Sequence, residues 1–190
     1  IAQDGRGRVW IATWDGGLLL ARRDSSGKLY FVRMLDRSAD ERRVRRICID
    51  RDGLMWVATC AGLYVADTRR GDIGTASFAR FSATDGNFPI TNIICLAALR
   101  DGTLCVGGLG CGLILARRNP AGGTLETTAV TTARGLANNN VRSVAEDSFG
   151  CVWVGTEEGI SRVNPCNAVA TSYRFGPTPL ADVFAEGVAM

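Results

Sequence analysis

The stretch Asp147-Ser-Phe-Gly-Cys-Val-Trp-Val-Gly-Thr156 decides the reading of this 190-residue chain, because it recurs. Asp4-Gly-Arg-Gly-Arg-Val-Trp-Ile-Ala-Thr13 and Asp50-Arg-Asp-Gly-Leu-Met-Trp-Val-Ala-Thr59 share its template: an aspartate, a glycine three residues on, a tryptophan three further, then an aliphatic, a small residue and a threonine. Leu99-Arg-Asp-Gly-Thr-Leu-Cys-Val-Gly-Gly108 is a degenerate copy, with Leu99, Cys105 and Gly108 where the others carry Asp, Trp and Thr. The positions Trp10, Trp56, Cys105 and Trp153 are 46, 49 and 48 residues apart. Each is followed by a glycine and an aliphatic residue: Gly17-Leu18, Gly62-Leu63, Gly112-Leu113 and Gly159-Ile160. Self-similarity at such a period marks stacked supersecondary units.

Inside a unit the apolar pattern has period two. Val141-Arg-Ser-Val-Ala-Glu-Asp reads as a first strand, Cys151-Val-Trp-Val-Gly-Thr as a second after a turn at Gly150, and Gly159-Ile-Ser-Arg-Val as a third. Asn164-Pro165 breaks the chain, and Ala170-Thr-Ser-Tyr-Arg-Phe supplies a fourth strand. Leu29–Met34, Ser77–Phe81 and Leu125–Val130 are its counterparts. The fold class is therefore all-β, a tandem of four-stranded antiparallel meanders, which is the pattern of β-propeller blades. Unit boundaries fall at 1–43, 44–92, 93–140 and 141–181, all in one partial propeller domain, with 182–190 opening a further blade. The template residues have an architectural account. Gly7, Gly53, Gly102 and Gly150 supply positive φ in the turn between strands one and two. Asp4, Asp50 and Asp147 accept amides of that turn, Trp10, Trp56 and Trp153 pack between sheets, and Thr13, Thr59 and Thr156 suit the pleat.

Composition excludes several chemistries. The chain has no histidine, which removes Ser-His-Asp and Cys-His pairs and imidazole bases. Seven cysteines without a Cys-x-x-Cys pair fit neither a zinc ribbon nor a thioredoxin site, and read as buried free thiols. No cofactor or metal is expected. A net charge of +3 gives no case for a nucleic-acid partner, and no apolar run reaches membrane-spanning length. No signal peptide is visible at Ile1.

The first-strand pattern, the Gly-x-x-Trp second strand, the Gly-aliphatic third strand and the linker Gly135-Leu-Ala-Asn-Asn-Asn-Val141 together resemble the two-component regulator propeller repeat. The copy from Arg134 to Pro165 is similar to it almost position for position. The resemblance implies a non-catalytic, ligand-sensing module from the periplasmic or extracellular half of a bacterial sensor histidine kinase or hybrid regulator, responding to a glycan or oligosaccharide. It also implies a seven-bladed ring, which at about 47 residues a blade is longer than this chain. Two alternatives stay open: a propeller enzyme acting on polysaccharide, a lyase or glycosidase using Glu157 and Glu158, and a cytoplasmic interaction scaffold.

Loops joining strands two and three, and those joining one blade to the next, are where a propeller ligand binds, and here they differ between units while the strands stay alike. Trp14 beside Asp15 suits stacking on a sugar. The arginine-rich run from Arg37 to Arg46, with Arg43, Arg45 and Arg46, suits a uronate or sulfate, or else is a solvated loop neutralised by Asp36, Asp40 and Glu41. Asn138 and Asn139 offer amides, and Glu157 and Glu158 carboxylates. Apolar faces on the terminal units point to self-association as a dimer or larger assembly.

Overall fold

The computed structural model describes residues 1–71, 78–119 and 123–174. The segment 182–190 lies outside the described residues, as do Ser77 and Phe175 at the ends of two expected fourth strands. The strands form four separate four-stranded antiparallel sheets, each a meander in chain order. The first holds β1 (Ala2–Gln3), β2 (Val9–Ala12), β3 (Leu18–Arg23) and β4 (Leu29–Leu35). The second holds β5 (Val44–Ile49), β6 (Leu54–Thr59), β7 (Leu63–Asp67) and β8 (Ala79–Phe81). The third holds β9 (Ile93–Ala98), β10 (Leu104–Gly108), β11 (Leu113–Arg118) and β12 (Leu125–Val130), and the fourth β13 (Val141–Glu146), β14 (Val152–Thr156), β15 (Gly159–Asn164) and β16 (Val169–Tyr173). These are β-propeller blades. The chain divides into two compact units, 1–93 and 94–190, with two blades in each.

One hairpin chemistry is written three times. Asp50 Oδ1 accepts the backbone N–H groups of Asp52 (3.0 Å) and Leu54 (2.9 Å), while Oδ2 accepts the indole N–H of Trp56 at 2.8 Å. Asp4 holds Arg6 N, Arg8 N and Trp10 Nε1 in the same way, and Asp147 holds Phe149 N, Cys151 N and Trp153 Nε1. One carboxylate thus closes the turn and satisfies the only polar atom of a packed indole. In the third blade Leu99 and Cys105 stand at these two positions, both buried, so donor and acceptor are lost together and neither is orphaned. Asp101 takes over the turn there, accepting Thr103 N at 2.8 Å and the Arg117 guanidinium at 2.9 Å.

The threonine ending the template closes the next loop. Thr13, Thr59 and Thr156 donate their hydroxyls to the carbonyls of Gly17, Gly62 and Gly159, each at 2.8 Å. The third blade has Gly108 at that position, and the Cys111 thiol donates instead to Gly112 O at 3.4 Å. The receiving glycine is required. Gly112 sits at φ +72°, and a Cβ there would collide with the carbonyl oxygen of Val130 at the end of β12.

In the 1–93 unit the core lies between the first two sheets, with Trp10, Leu18, Leu20, Leu35, Met55, Val57 and Tyr64 at its centre. In the 94–190 unit Leu113, Leu115, Val130, Val141, Val152 and Val154 play that part. Gly107 marks the closeness of the sheets there, since an added Cβ would meet Cys95 Sγ and Val141 Cγ1. Of the seven cysteines, Cys95 and Cys105 are buried and Cys166 is exposed.

The arginine-rich connector differs from a solvated loop in one respect. Residues Ala39–Arg42 form a single helical turn, α1, capped by the Ser38 hydroxyl, and Glu41 is buried. Its carboxylate accepts the Tyr64 hydroxyl at 2.8 Å and the Arg37 backbone N–H at 2.6 Å. Burial pushes the Tyr64 phenol well above its ordinary range, and the neighbouring Glu41 carboxylate adds to the effect. Glu41 is therefore a structural anchor, while Asp36 and Asp40 remain surface charges paired with arginines.

Candidate functional site

In each unit a connector between blades is stitched by backbone hydrogen bonds to loops that follow a second strand. In the 1–93 unit Gly17 N donates to Arg42 O (3.0 Å), Val44 N to Thr13 O (3.0 Å) and Cys60 N to Arg43 O (3.3 Å). In the 94–190 unit Gly112 N donates to Asn139 O (2.9 Å) and Glu157 N to Asn140 O (3.2 Å). The two clusters share one register, in which Arg42 corresponds to Asn139, Arg43 to Asn140 and Cys60 to Glu157.

A bulge extends the correspondence by one decisive residue. β5 pairs Val44 with Thr59 and then Arg46 with Ala58, and β13 pairs Val141 with Thr156 and then Ser143 with Gly155. The residue skipped is Arg45 in one unit and Arg142 in the other. A bulged residue leaves the ladder and its side chain is re-aimed, here onto the rim built by the loops.

The two rims treat that arginine differently. Arg142 donates to Glu157 Oε1, and Asn140 Nδ2 donates to Glu157 Oε2. Those bonds, the Asn140 amide first and the Arg142 guanidinium second, hold the Glu157 carboxyl below its ordinary range. Around Arg45 the position of Glu157 is taken by Cys60, and among the described residues Arg45 has no side-chain hydrogen bond or ion pair. Its guanidinium lies over the Trp14 ring, 4.7 Å from the centroid, and that of Arg43 lies 5.8 Å away. The Nε atoms of Arg43 and Arg45 are buried without a hydrogen-bond partner, a feature the Nε of Arg142 shares. Trp14 itself is 51% exposed, whereas Trp10 and Trp56 are buried.

The remaining candidates fall outside this arrangement or serve it indirectly. Arg43 also reaches Asp40 at 3.2 Å, Asp15 is exposed beside Trp14, and Arg46 is exposed on β5 with Nη1 donating to Arg45 O at 3.3 Å. Asn138 Oδ1 accepts Asn140 N at 2.6 Å and Asn139 Oδ1 accepts Thr132 N at 2.9 Å, so both acceptors shape the connector. Glu158 is exposed, with its backbone N–H on the Thr156 hydroxyl. The template aspartates and glycines 7, 53, 102 and 150 belong to the turns before the second strands, at the opposite end of those strands from the rim. Asn140 belongs to the amide run that the sequence singles out, whereas sequence reasoning passed over Arg142, although the recurrence of Val-Arg at 44–45 and 141–142 carries the signal. A groove of about 720 Å³ in the 94–190 unit, lined by Leu115, Arg117, Glu126, Arg134 and Cys166 among others, lies along an outer strand and includes none of that unit's rim residues.

The family model for the two-component regulator propeller matches residues 39–61 and 135–158, one segment in each unit. No curated protein matches the chain by sequence. Among solved structures, the extracellular domain of a protein described as a hybrid two component system of B. thetaiotaomicron aligns with a TM-score of 0.72 at 22% identity. That alignment covers 94% of this chain and 24% of the other. PorZ, a surface component of the type-IX secretion system of Porphyromonas gingivalis, aligns with a TM-score of 0.62 at 18% identity over 90% of this chain and 26% of its own. A gluconolactonase of Xanthomonas campestris aligns at 0.59 and 13% over 93% of this chain and 61% of its own. The chain thus spans about a quarter of the first of these structures. One segment in each of its two units matches the two-component regulator propeller model, and the chain is folded as β-propeller blades.

Proposed function

We propose that this chain is part of the extracytoplasmic sensing half of a two-component regulator, that it is not catalytic, and that it responds to a saccharide. The observation that supports this reading is the contrast between constant strands and divergent rims. Template residues repeat, while the loops after the second strands read Trp14-Asp15-Gly16, Cys60-Ala61, Leu109-Gly110-Cys111 and Glu157-Glu158. Variation confined to loops on a repeated scaffold is how such folds acquire a ligand. Trp14 gives the rim an exposed ring of the kind that stacks on sugars.

Propeller enzymes also share the fold, as the gluconolactonase alignment illustrates, so an enzymatic reading is weighed against Glu157 and Glu158. Glu157 is engaged by Arg142 and Asn140 and held in its ionised form, which disqualifies it as a general acid near neutral pH. Titration calorimetry of the chain against a panel of oligosaccharides, with product analysis of the same mixtures, tests the proposal. Binding without turnover is the expected result. Shortened or eliminated products, lost in Glu157→Gln or Glu158→Gln, would establish the enzyme instead.

A further inference from the structure

We infer that the ligand of the 1–93 unit carries a negative charge, a carboxylate or sulfate ester, and that Arg45 with Arg43 receives it beside Trp14; this rests on the saccharide reading above and narrows it. The argument uses the protein as its own control. Arg45 and Arg142 occupy the same bulge, in the same register, next to the same loop. At Arg142 the chain supplies an anion of its own, Glu157. At Arg45 that position is Cys60, a neutral residue whose backbone N–H makes the same bond to the connector that Glu157 makes. The fold thus has a built place for a carboxylate on this rim, filled in one unit and left to an outside group in the other.

The arrangement around Arg45 favours a bidentate acceptor. Arg43 and Arg45 both lie against one indole, so two guanidinium groups are gathered at the Trp14 ring. Their Nε atoms are buried without an acceptor, as is the Nε of Arg142, so the rims differ at the outer guanidinium nitrogens, which have Glu157 at Arg142 and no carboxylate at Arg45. An incoming carboxylate or sulfate supplies the missing acceptor to those outer nitrogens and meets the donor geometry that arginine presents. Asp40 pairs with Arg43 from the connector, while Arg45 has no carboxylate partner, so Arg45 is the residue on which the charge is set. Asp15, on the same loop as Trp14, disfavours ligands that place a second negative charge on that side and restricts the orientation.

The test titrates the full 190-residue chain with two probes of equal length, a neutral gluco-oligosaccharide and a glucuronate-containing oligosaccharide, with a sulfated one as a third arm. Binding is followed by calorimetry and by fluorescence of Trp14, the exposed ring. The charged probe is expected to bind at least tenfold more tightly than the neutral one, with affinity falling as salt rises. Arg45→Ala and Cys60→Glu should each remove that preference, the second by supplying the carboxylate that Glu157 supplies in the other unit. Arg45→Lys should retain only part of it. Unchanged circular dichroism and melting temperature show that each variant is folded. Equal affinity for charged and neutral probes, with loss of both in Trp14→Ala, overturns the anionic inference and leaves the saccharide reading standing. Charged binding that persists in Arg45→Ala and Cys60→Glu also overturns it. Failure of all three probes overturns both readings at once.

Discussion

Replacing Asp50 by alanine removes the acceptor of three donors, and the structure separates what each loss costs. Asp52 is exposed, so its N–H turns to water at little penalty. Trp56 is 3% exposed, and its indole N–H is left without a partner, which costs about 1–3 kcal/mol. The partly buried Leu54 amide adds about 0.5–1.5 kcal/mol. Asp50→Ala should therefore destabilise the 1–93 unit by about 3 kcal/mol. Trp56→Phe removes one donor and some packed area while leaving the carboxylate on its two amides, for about 1–2 kcal/mol. In the double variant the indole donor is gone together with its acceptor and only the Leu54 amide still lacks the carboxylate, so the combined loss should fall short of the sum by about 1–2 kcal/mol. Urea unfolding followed by far-ultraviolet circular dichroism measures all four species of the cycle. Additivity within about 0.5 kcal/mol would show that the carboxylate does not act through the indole, and that the joint substitution at Leu99 and Cys105 needs another explanation.

Trp56→Ala should cost about 3–5 kcal/mol, whereas Trp14→Ala should cost under about 1 kcal/mol, and equal losses in denaturant unfolding would contradict the placement of Trp14 on the rim. Gly110 and Gly112 share a positive φ, but only Gly112 faces a backbone carbonyl. Gly110→Ala should cost about 1 kcal/mol in the same assay and Gly112→Ala at least about 3 kcal/mol. The carboxyls of Asp4 and Asp147 are pulled two ways, upward by burial and downward by the hydrogen bonds they accept, and the bonds prevail. Their folded pKa values lie below the unfolded one near 3.8, so the stability they contribute is complete above that pH and is lost as pH falls through the lower folded values. The melting temperature should decline below about pH 4, less steeply in Asp4→Asn, as differential scanning fluorimetry would show.

The strands were legible because their signals are local: alternation, a turn glycine and an indole at a fixed offset define β2, β6 and β14 without knowledge of their neighbours. The aspartate-to-indole bond was less so. It joins positions six apart across a turn, where neither strand nor helix periodicity predicts contact, although the simultaneous loss of both partners at Leu99 and Cys105 encodes it. Glu41 shows where charge patterning misleads. Within a run of arginines it reads as a counterion in water, but Tyr64, from the third strand of the next blade, buries it and gives it a donor. The rim was half visible. Trp14, Arg43 and Arg45 stand out by residue type, while the difference between Arg45 and Arg142 depends on what sits opposite a bulge, which only strand register reveals.

The stitches between connector and loops bear on how a rim contact would be felt elsewhere. Arg43 sits on a chain tied on both sides, through Arg42 O and Val44 N to the loop of the first blade and through its own carbonyl to Cys60 in the second. Such a segment has little slack. A ligand drawing Arg43 and Arg45 together would load backbone tethers shared by two sheets, so the yielding coordinate is the angle between neighbouring blades, a lever whose arms are whole sheets and whose fulcrum is three hydrogen bonds long.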